Sequence, residues 1–141
     1  MSKVVSLRLK DTQVEALSRA ARRMGRTPSE AAAFLLEEAL RQREFAFIEF
    51  RDSPVGRQAY LQGTRLAIWQ IESLARAFDR DAHRVAEHLS LPPVQIEAAL
   101  RYAEAFPQEI EDAIKDNKWA ASNIQRIVPG IKMISADEAS H

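Results

Sequence analysis

The chain has no cysteine, which excludes disulfide bonds and thiol chemistry. It also lacks a long apolar run: the longest, from Ala31 to Leu36, is far shorter than the ~20 residues of a membrane-spanning helix. The charged start and apolar stretch of a signal peptide are missing as well. We therefore expect a cytoplasmic protein with no membrane contact.

Catalytic and metal-binding motifs are also missing: there is no glycine-rich phosphate loop, nucleophile elbow or zinc-ligand spacing. His83 and His88 are five residues apart, whereas metal ligands on one helix face are about four apart. Glu109, Glu111 and Asp112 are typical of a solvated helix face rather than of a paired acid and base. We expect neither an enzyme nor a cofactor.

What is present is a globular composition with an uneven charge. The 141 residues suit one domain or two small ones, and 46% of them are hydrophobic. Residues 1–30 contain seven Lys or Arg and three Asp or Glu, a net charge of +4. Residues 45–141 contain 11 and 14 respectively, a net charge of −3. The first segment would attract phosphates and the second a basic partner, although a solvated surface would also explain either imbalance.

The first forty residues predict one strand and two helices. Alternation predicts a strand over Val4–Lys10, with Val5, Leu7 and Leu9 on one face and Val4, Ser6 and Arg8 on the other. Asp11 or Thr12 is expected to cap the first helix, and Gly25 to end it. The second helix opens with a capping box at Thr27 and runs to about Glu44. The apolar stripes of the two helices are Val14, Leu17, Ala21 and Met24, then Ala32, Leu35, Leu36, Ala39 and Leu40.

One strand and two helices are too small to fold alone. Pairing the strand with its copy from a second chain would solve this, and the resulting two-stranded ribbon has the shape of a major-groove reader. Residues Lys3–Arg43 resemble the ribbon-helix-helix repressors in their strand alternation, helix lengths, Met24-Gly25 and capped start at Thr27. The resemblance implies a homodimer, or a higher oligomer of such dimers side by side, that binds double-stranded operator DNA. Its base-reading residues would be Val4, Ser6 and Arg8, and its phosphate contacts Lys3, Lys10, Thr27 and Ser29. The alternative is a dimerisation ribbon that binds no DNA.

The next part predicts a β-hairpin followed by short helices. The strands are expected at Phe45–Arg51 and Gln58–Leu61, with a turn at Asp52–Gly56. The helices are expected at about Ile68–Phe78, after a cap at Asp81, after Pro92-Pro93, and from Pro107. A hairpin with three or four helices is a winged-helix-like arrangement. Gly56-Arg57, the run Leu61–Trp69 with its Gly63-Thr64-Arg65 core, and Glu97–Ala103 resemble a helix-turn-helix domain of bacterial VapB-like antitoxins.

From Lys118 the pattern changes, and Pro129-Gly130 interrupts any helix. This apolar tail either folds back on its own module or becomes ordered in the cleft of a partner. The resemblance to antitoxins favours a toxin as that partner. In the acidic pocket of a PIN-like ribonuclease, Arg126 or Lys132 would compete with metal or substrate. The candidate toxin-binding residues are Trp119, Ile124, Arg126, Ile127, Ile131, Lys132 and Met133.

The sequence therefore predicts a mainly α fold in three parts. Residues 1–44 form a ribbon-helix-helix module, residues 45–117 a hairpin plus helix-turn-helix module, and residues 118–141 an extended C-terminal tail. The expected function is that of an antitoxin which neutralises a protein toxin and represses its own operon. Two alternatives remain: a repressor without a toxin, and a toxin-binding adaptor with vestigial DNA contact.

Overall fold

The computed structural model describes the backbone of residues 2–127 and the side chains as far as residue 118. Within that range the chain is mainly helical, with six helices and one antiparallel hairpin, so the prediction of a mainly α fold is confirmed. The chain divides into two compact units between Arg41 and Gln42. No helix of the described residues has the length and apolarity needed to cross a membrane.

The segment before the first helix forms no strand in the single chain. Residues 2–10 carry no strand assignment, and all of them are exposed. A strand needs a hydrogen-bonded neighbour, and the described part of the chain places none beside this segment. The predicted neighbour is a second copy of the chain, so the strand at Val4–Lys10 stays a prediction about the dimer.

Helix α1 spans Asp11–Met24, and its cap differs from the prediction. Lys10 is the extended N-cap residue, so Asp11 and Thr12 lie inside the first turn, and their assignment as caps was wrong. The Gln13 side chain reaches back instead, and its Oε1 accepts the backbone N–H of Lys10 at 2.9 Å. Asp11 still places a negative charge on the first turn, where the helix dipole favours it.

The turn from α1 into helix α2, Pro28–Glu44, follows the predicted chemistry. Gly25 adopts the left-handed conformation, with φ 66° and ψ 34°, and its N–H donates to the carbonyl of Arg22 at 3.2 Å. Thr27 accepts the backbone N–H of Glu30 at 3.2 Å and donates its hydroxyl proton to the Glu30 carboxylate at 2.9 Å. The predicted helix end at Gly25 and the cap at Thr27 are confirmed, whereas the Glu30 carboxylate binds the Thr27 hydroxyl and not the Thr27 backbone N–H that a complete capping box would use.

The second unit begins with a hairpin of β1, Ile48–Ser53, and β2, Gly56–Leu61. The predicted first strand, Phe45–Arg51, is therefore placed too early. Phe47 has a φ of 63°, which an extended strand does not allow, so β1 starts only after it. The turn is shorter than predicted because Ser53 pairs directly with Gly56. The Ser53 hydroxyl accepts the N–H of Val55 at 3.3 Å and donates to the Gly56 carbonyl at 2.6 Å.

The Gly63-Thr64 pair makes the turn that leads from β2 towards the first helix of this unit. Gly63 has a φ of 77°, a conformation that glycine adopts without strain. The Thr64 hydroxyl donates to the Leu61 carbonyl at 2.8 Å and accepts the N–H of Leu66 at 3.0 Å. The Thr64 hydroxyl therefore both donates to and accepts from the main chain of the turn, which gives the Gly63-Thr64 pair a structural role.

Helix α3 spans Ile68–Ala77, α4 Ala82–Leu89 and α5 Pro93–Ala105, all close to the predicted positions. The predicted cap of α4 is confirmed, because the Asp81 carboxylate accepts the backbone N–H groups of His83 at 3.1 Å and Arg84 at 3.3 Å. Helix α3 packs against α4 and α5, and β2 lies against it. The largest fully buried side chains of this core are Tyr102, Leu61, Ile68, Ile71, Ile96 and Val85.

Helix α6 spans Pro107–Ile127 and corrects the predicted tail. Its start at Pro107 agrees with the sequence, and Ile110 and Ile114 are buried as expected. The helix continues ten residues past Asn117, so an extended tail beginning at Lys118 was wrong for residues 118–127. Lys118-Trp119-Ala120-Ala121 contains good helix formers and no breaker, which allows the backbone hydrogen bonding to continue.

Candidate nucleic-acid interface

The predicted base-reading residues lie on the exposed segment before α1. Val4 is 95% exposed, and Ser6 and Arg8 are exposed as well. The described residues contain no side-chain partner for Arg8. Five donors in a planar fork suit the guanidinium for a bidentate contact with guanine, whereas Ser6 can bond several bases and Val4 only a thymine methyl.

The apolar residues that alternate with them are exposed too. Val5 is 79% exposed, Leu7 72% and Leu9 44%. Three large apolar side chains on alternate positions of one short segment would make a continuous apolar face if that segment were extended. Burial of such a face against another surface would be favourable, because its exposure to water costs free energy.

Helix α2 adds further uncovered apolar side chains within the same unit. Leu35 is 36% exposed, Leu36 54% and Leu40 56%, and in α1 Val14 is 46% exposed. Among residues 2–41 only Ala21 and Ala31 are buried apolar residues. The stripe of α2 is therefore largely uncovered in the single chain, whereas that of α1 is half covered.

The predicted phosphate contacts occupy two places. Lys3 and Lys10 are exposed on and beside the N-terminal segment, and Thr27 and Ser29 stand at the start of α2. At that helix start the Thr27 hydroxyl is already engaged with Glu30. Pro28 has no N–H to offer a phosphate. Ser29 has both a hydroxyl and an N–H, so it is a better phosphate ligand than Thr27.

Three arginines on the outer face of α1 were not among the predicted site residues. Arg19, Arg22 and Arg23 are all exposed, and none has an ion pair or side-chain hydrogen bond within the described part of the chain. Arg26 differs from them, because its guanidinium lies 5.1 Å from the Phe34 ring centroid and 3.9 Å from the Glu30 carboxylate. The sequence did contain a signal for the three outer arginines, because Arg22 and Arg23 follow Arg19 by three and four residues and so share its helix face.

In the second unit the charged side chains pair with one another around a buried carboxylate. Glu72 is only 5% exposed and contacts Arg80 at 2.9 Å and Arg76 at 3.5 Å. Arg80 also reaches Glu104 at 3.0 Å, and Arg76 binds Glu111. Glu72, its two arginines and Glu104 line a shallow depression together with Ala103, Pro107 and Ile110.

The Arg76–Glu111 pair shifts both ionisation equilibria. Its hydrogen bond is the main cause that lowers the pKa of Glu111 and raises the pKa of Arg76. Glu109 accepts the hydroxyl proton of Tyr102 at 2.6 Å, and Asp112 accepts from Gln108 at 2.8 Å. Each of the three helix acids thus has its own partner rather than forming a pair with another acid.

The remaining candidates are not brought into a common site. His83 and His88 are exposed, and the His88 ring lies 5.4 Å from that of Phe78. Residues 2–127 contain no group of three or more His, Asp or Glu that could hold a metal ion. Four predicted toxin-binding residues, Trp119, Ile124, Arg126 and Ile127, belong to the backbone of α6. The other three, Ile131, Lys132 and Met133, lie outside the described residues.

Comparison with known proteins adds no relative. No protein-family model matches the chain, and no similar curated protein or solved structure was found.

Proposed function

We propose that this chain is a homodimeric, operator-binding repressor with a ribbon-helix-helix N-terminal unit, and that it also serves as an antitoxin. The observation that carries the proposal is the exposed alternation of residues 4–9. Val5 and Leu7 are more than two-thirds exposed, at 79% and 72%, although they are large and apolar. Pairing with a second copy would bury them and turn Ser6 and Arg8 outward together.

The rest of the N-terminal unit supports the same dimer. The exposed stripe of α2, which includes Leu36 and Leu40, gives a second copy more apolar surface to cover. The capped turn at Gly25 and Thr27 orders the start of α2. With seven basic residues against three acidic ones in residues 1–30, the unit also has the charge that a phosphate backbone attracts.

The toxin-binding role is assigned to the second unit and to the chain that follows it. The resemblance to VapB-like antitoxins supports this part, as do the hairpin followed by helices α3 to α6, which we interpret as a winged-helix-like module. The net charge of −3 over residues 45–141 suits a basic partner surface. Arg126 and Lys132 are the residues proposed to enter an acidic ribonuclease pocket.

An Arg8→Ala variant tests the DNA-binding role. A duplex selected by the wild-type protein from a random library supplies the probe, and fluorescence anisotropy gives the affinity. Loss of one bidentate base contact is expected to weaken binding by about 1–3 kcal/mol, with relaxed preference at one base pair. Arg43→Ala is the matched control, because Arg43 is exposed on α2 outside the N-terminal segment. Unchanged affinity and preference in Arg8→Ala would contradict the assignment.

The antitoxin role requires a separate test. The full chain is co-expressed with the product of the neighbouring gene, and complex formation is measured after purification. We expect a stable complex that Arg126→Ala and Lys132→Ala together weaken, while DNA binding persists. Failure to form a complex would leave a repressor without a toxin.

A further inference from the structure

The outer face of α1 carries a cluster of positive charge that the proposed ribbon does not use. Arg22 and Arg23 lie three and four residues after Arg19, so each of them is a neighbour of Arg19 on one face of the helix. Leu17 and Ala21, which are half-buried and buried, lie on the other side. The three side chains point away from the covered side of their own unit.

Intramolecular electrostatics account for only part of this cluster. Arg22 and Arg23 stand in the last turn of α1, where the helix dipole favours a positive charge. Arg19 lies before that turn, outside the range of the effect. Glu15 is four residues before Arg19 on the same face, yet no ion pair joins them within residues 2–127. Three like charges side by side repel one another, so the cluster costs stability unless an anion is present.

The position of α1 indicates which anion fits. The helix begins directly after Lys10 and ends at Met24, three residues before Thr27. It therefore connects the two places where phosphate contacts are proposed. The Arg26 N–H donates to the carbonyl of Ala21 at 3.0 Å, a bond across the turn that fixes the last turn of α1 relative to the start of α2.

We propose that Arg19, Arg22 and Arg23 form a second phosphate-binding surface, which contacts the DNA backbone independently of base sequence. The proposal rests on the proposed DNA-binding function and adds a surface that contributes to affinity but not to base preference. Guanidinium groups suit phosphate oxygens because they donate bidentate, charge-assisted hydrogen bonds. Each phosphate they neutralise releases counterions and makes binding more sensitive to salt.

The experiment compares two full-length triple variants on two duplexes. One variant carries Arg19→Gln, Arg22→Gln and Arg23→Gln. The control carries Arg65→Gln, Arg101→Gln and Lys115→Gln, which remove the same charge from exposed positions of the second unit. The duplexes are the one selected by the wild-type protein and one of random sequence and equal length. Affinity is measured at several salt concentrations.

In the α1 variant, the slope of log affinity against log salt should become shallower by about 0.9 for each lost phosphate contact. Affinity for both duplexes should fall by the same factor, so their ratio stays unchanged, whereas Arg8→Ala changes the ratio. The control should keep the wild-type slope. Circular dichroism and sedimentation establish that each variant is folded and dimeric; if the triple variant is not, single Arg19→Gln and Arg22→Gln variants are compared in the same way.

Three results would overturn the inference. A wild-type slope in the α1 variant would do so and would leave an acidic protein surface as the occupant of this face. An equal change of slope in the control variant would show that the effect comes from the net charge of the protein and not from this face of α1. A wild-type protein that selects no duplex from the random library and does not bind the random-sequence duplex would overturn the proposed DNA-binding function together with this surface, so the two failures are distinguishable.

Discussion

The two units of the chain differ in how completely they cover their own apolar side chains. In the second unit Leu61, Val85 and Ile96 are each 0% exposed. In the first unit Leu7 is 72% exposed and Leu40 56%. The second unit thus has a closed core, whereas the first leaves large apolar side chains exposed in the single chain.

Several arginines of the second unit differ in the same way from those on the outer face of α1. In the second unit Arg76 and Arg80 bind carboxylates on other elements, and Arg51 binds Glu49. In the first unit the three outer arginines of α1 have no such partner among the described residues. A side chain satisfied within its own fold has a structural role, so a search for binding surfaces begins with the first unit.

Leu7→Ser would break this comparison most strongly. Full burial of one leucine side chain is worth about 1.5–3 kcal/mol, and a homodimer contains two copies, so we expect dimerisation to weaken by about 3–6 kcal/mol. Sedimentation equilibrium measures the dissociation constant. Val4→Ser is the matched control on the opposite face of the segment and should leave it unchanged. If Leu7→Ser dimerises as the wild type does, the N-terminal segment is not the dimer interface.

Leu61→Ala tests the other side of the comparison. Leu61 is fully buried between the hairpin and the helices, so the cavity should lower the free energy of unfolding by about 2–5 kcal/mol. Urea denaturation provides the measurement. The control is Val94→Ala, because Val94 is 55% exposed and should change stability by less than about 0.5 kcal/mol. Equal effects of the two variants would argue against a closed core in this unit.

Asp81→Ala should have a smaller effect on the same unit. The carboxylate caps α4 by accepting two backbone N–H groups, and loss of such a cap costs about 1 kcal/mol. Thermal unfolding measures the change. Glu87→Ala removes an exposed acid of the same helix and should be close to neutral. A neutral Asp81→Ala would mean that the cap does not form in solution.

The smallest expected effect concerns the stability of the second unit at acid pH. Arg76 lowers the pKa of Glu111 below its ordinary value of 4.5, so this pair stabilises the fold above that pH, and its contribution is lost as pH falls through the lowered pKa. In Arg76→Gln the pKa of Glu111 should rise towards its ordinary value in an NMR titration of the carboxyl carbon. Arg101→Gln is the control. An unchanged titration in Arg76→Gln would show that the ion pair does not form.

The sequence predicted best those features that depend on neighbours in the chain. The capping box at Thr27 and the cap at Asp81 each involve residues two or three positions apart, so their chemistry is visible in the sequence. The start of β1 was missed because the left-handed backbone of Phe47 carries no signal in its residue type. The cap of α1 was missed because its N-cap residue is Lys10, whose residue type is not one that favours this position.

The candidate site was predicted only in part, because the availability of its arginines depends on tertiary contacts. Whether an arginine is available to a ligand depends on which carboxylates the fold brings to it. Arg80 forms an ion pair with Glu104, 24 residues further along the chain, and no local sequence pattern predicts that pairing. The unpaired state of Arg19, Arg22 and Arg23 is likewise a property of the folded unit. The assignment of Arg8, by contrast, rests on the alternation of residues 4–9 and stays a prediction.

The turn at Thr64 determines which substitutions that position can tolerate. Its hydroxyl donates to one main-chain group and accepts from another, so serine can replace threonine there, whereas valine, of nearly the same shape, cannot. Natural variants should therefore preserve the hydroxyl and ignore the methyl group. A Gly-Thr pair at the same place in a distant protein would accordingly indicate the same turn after the hairpin.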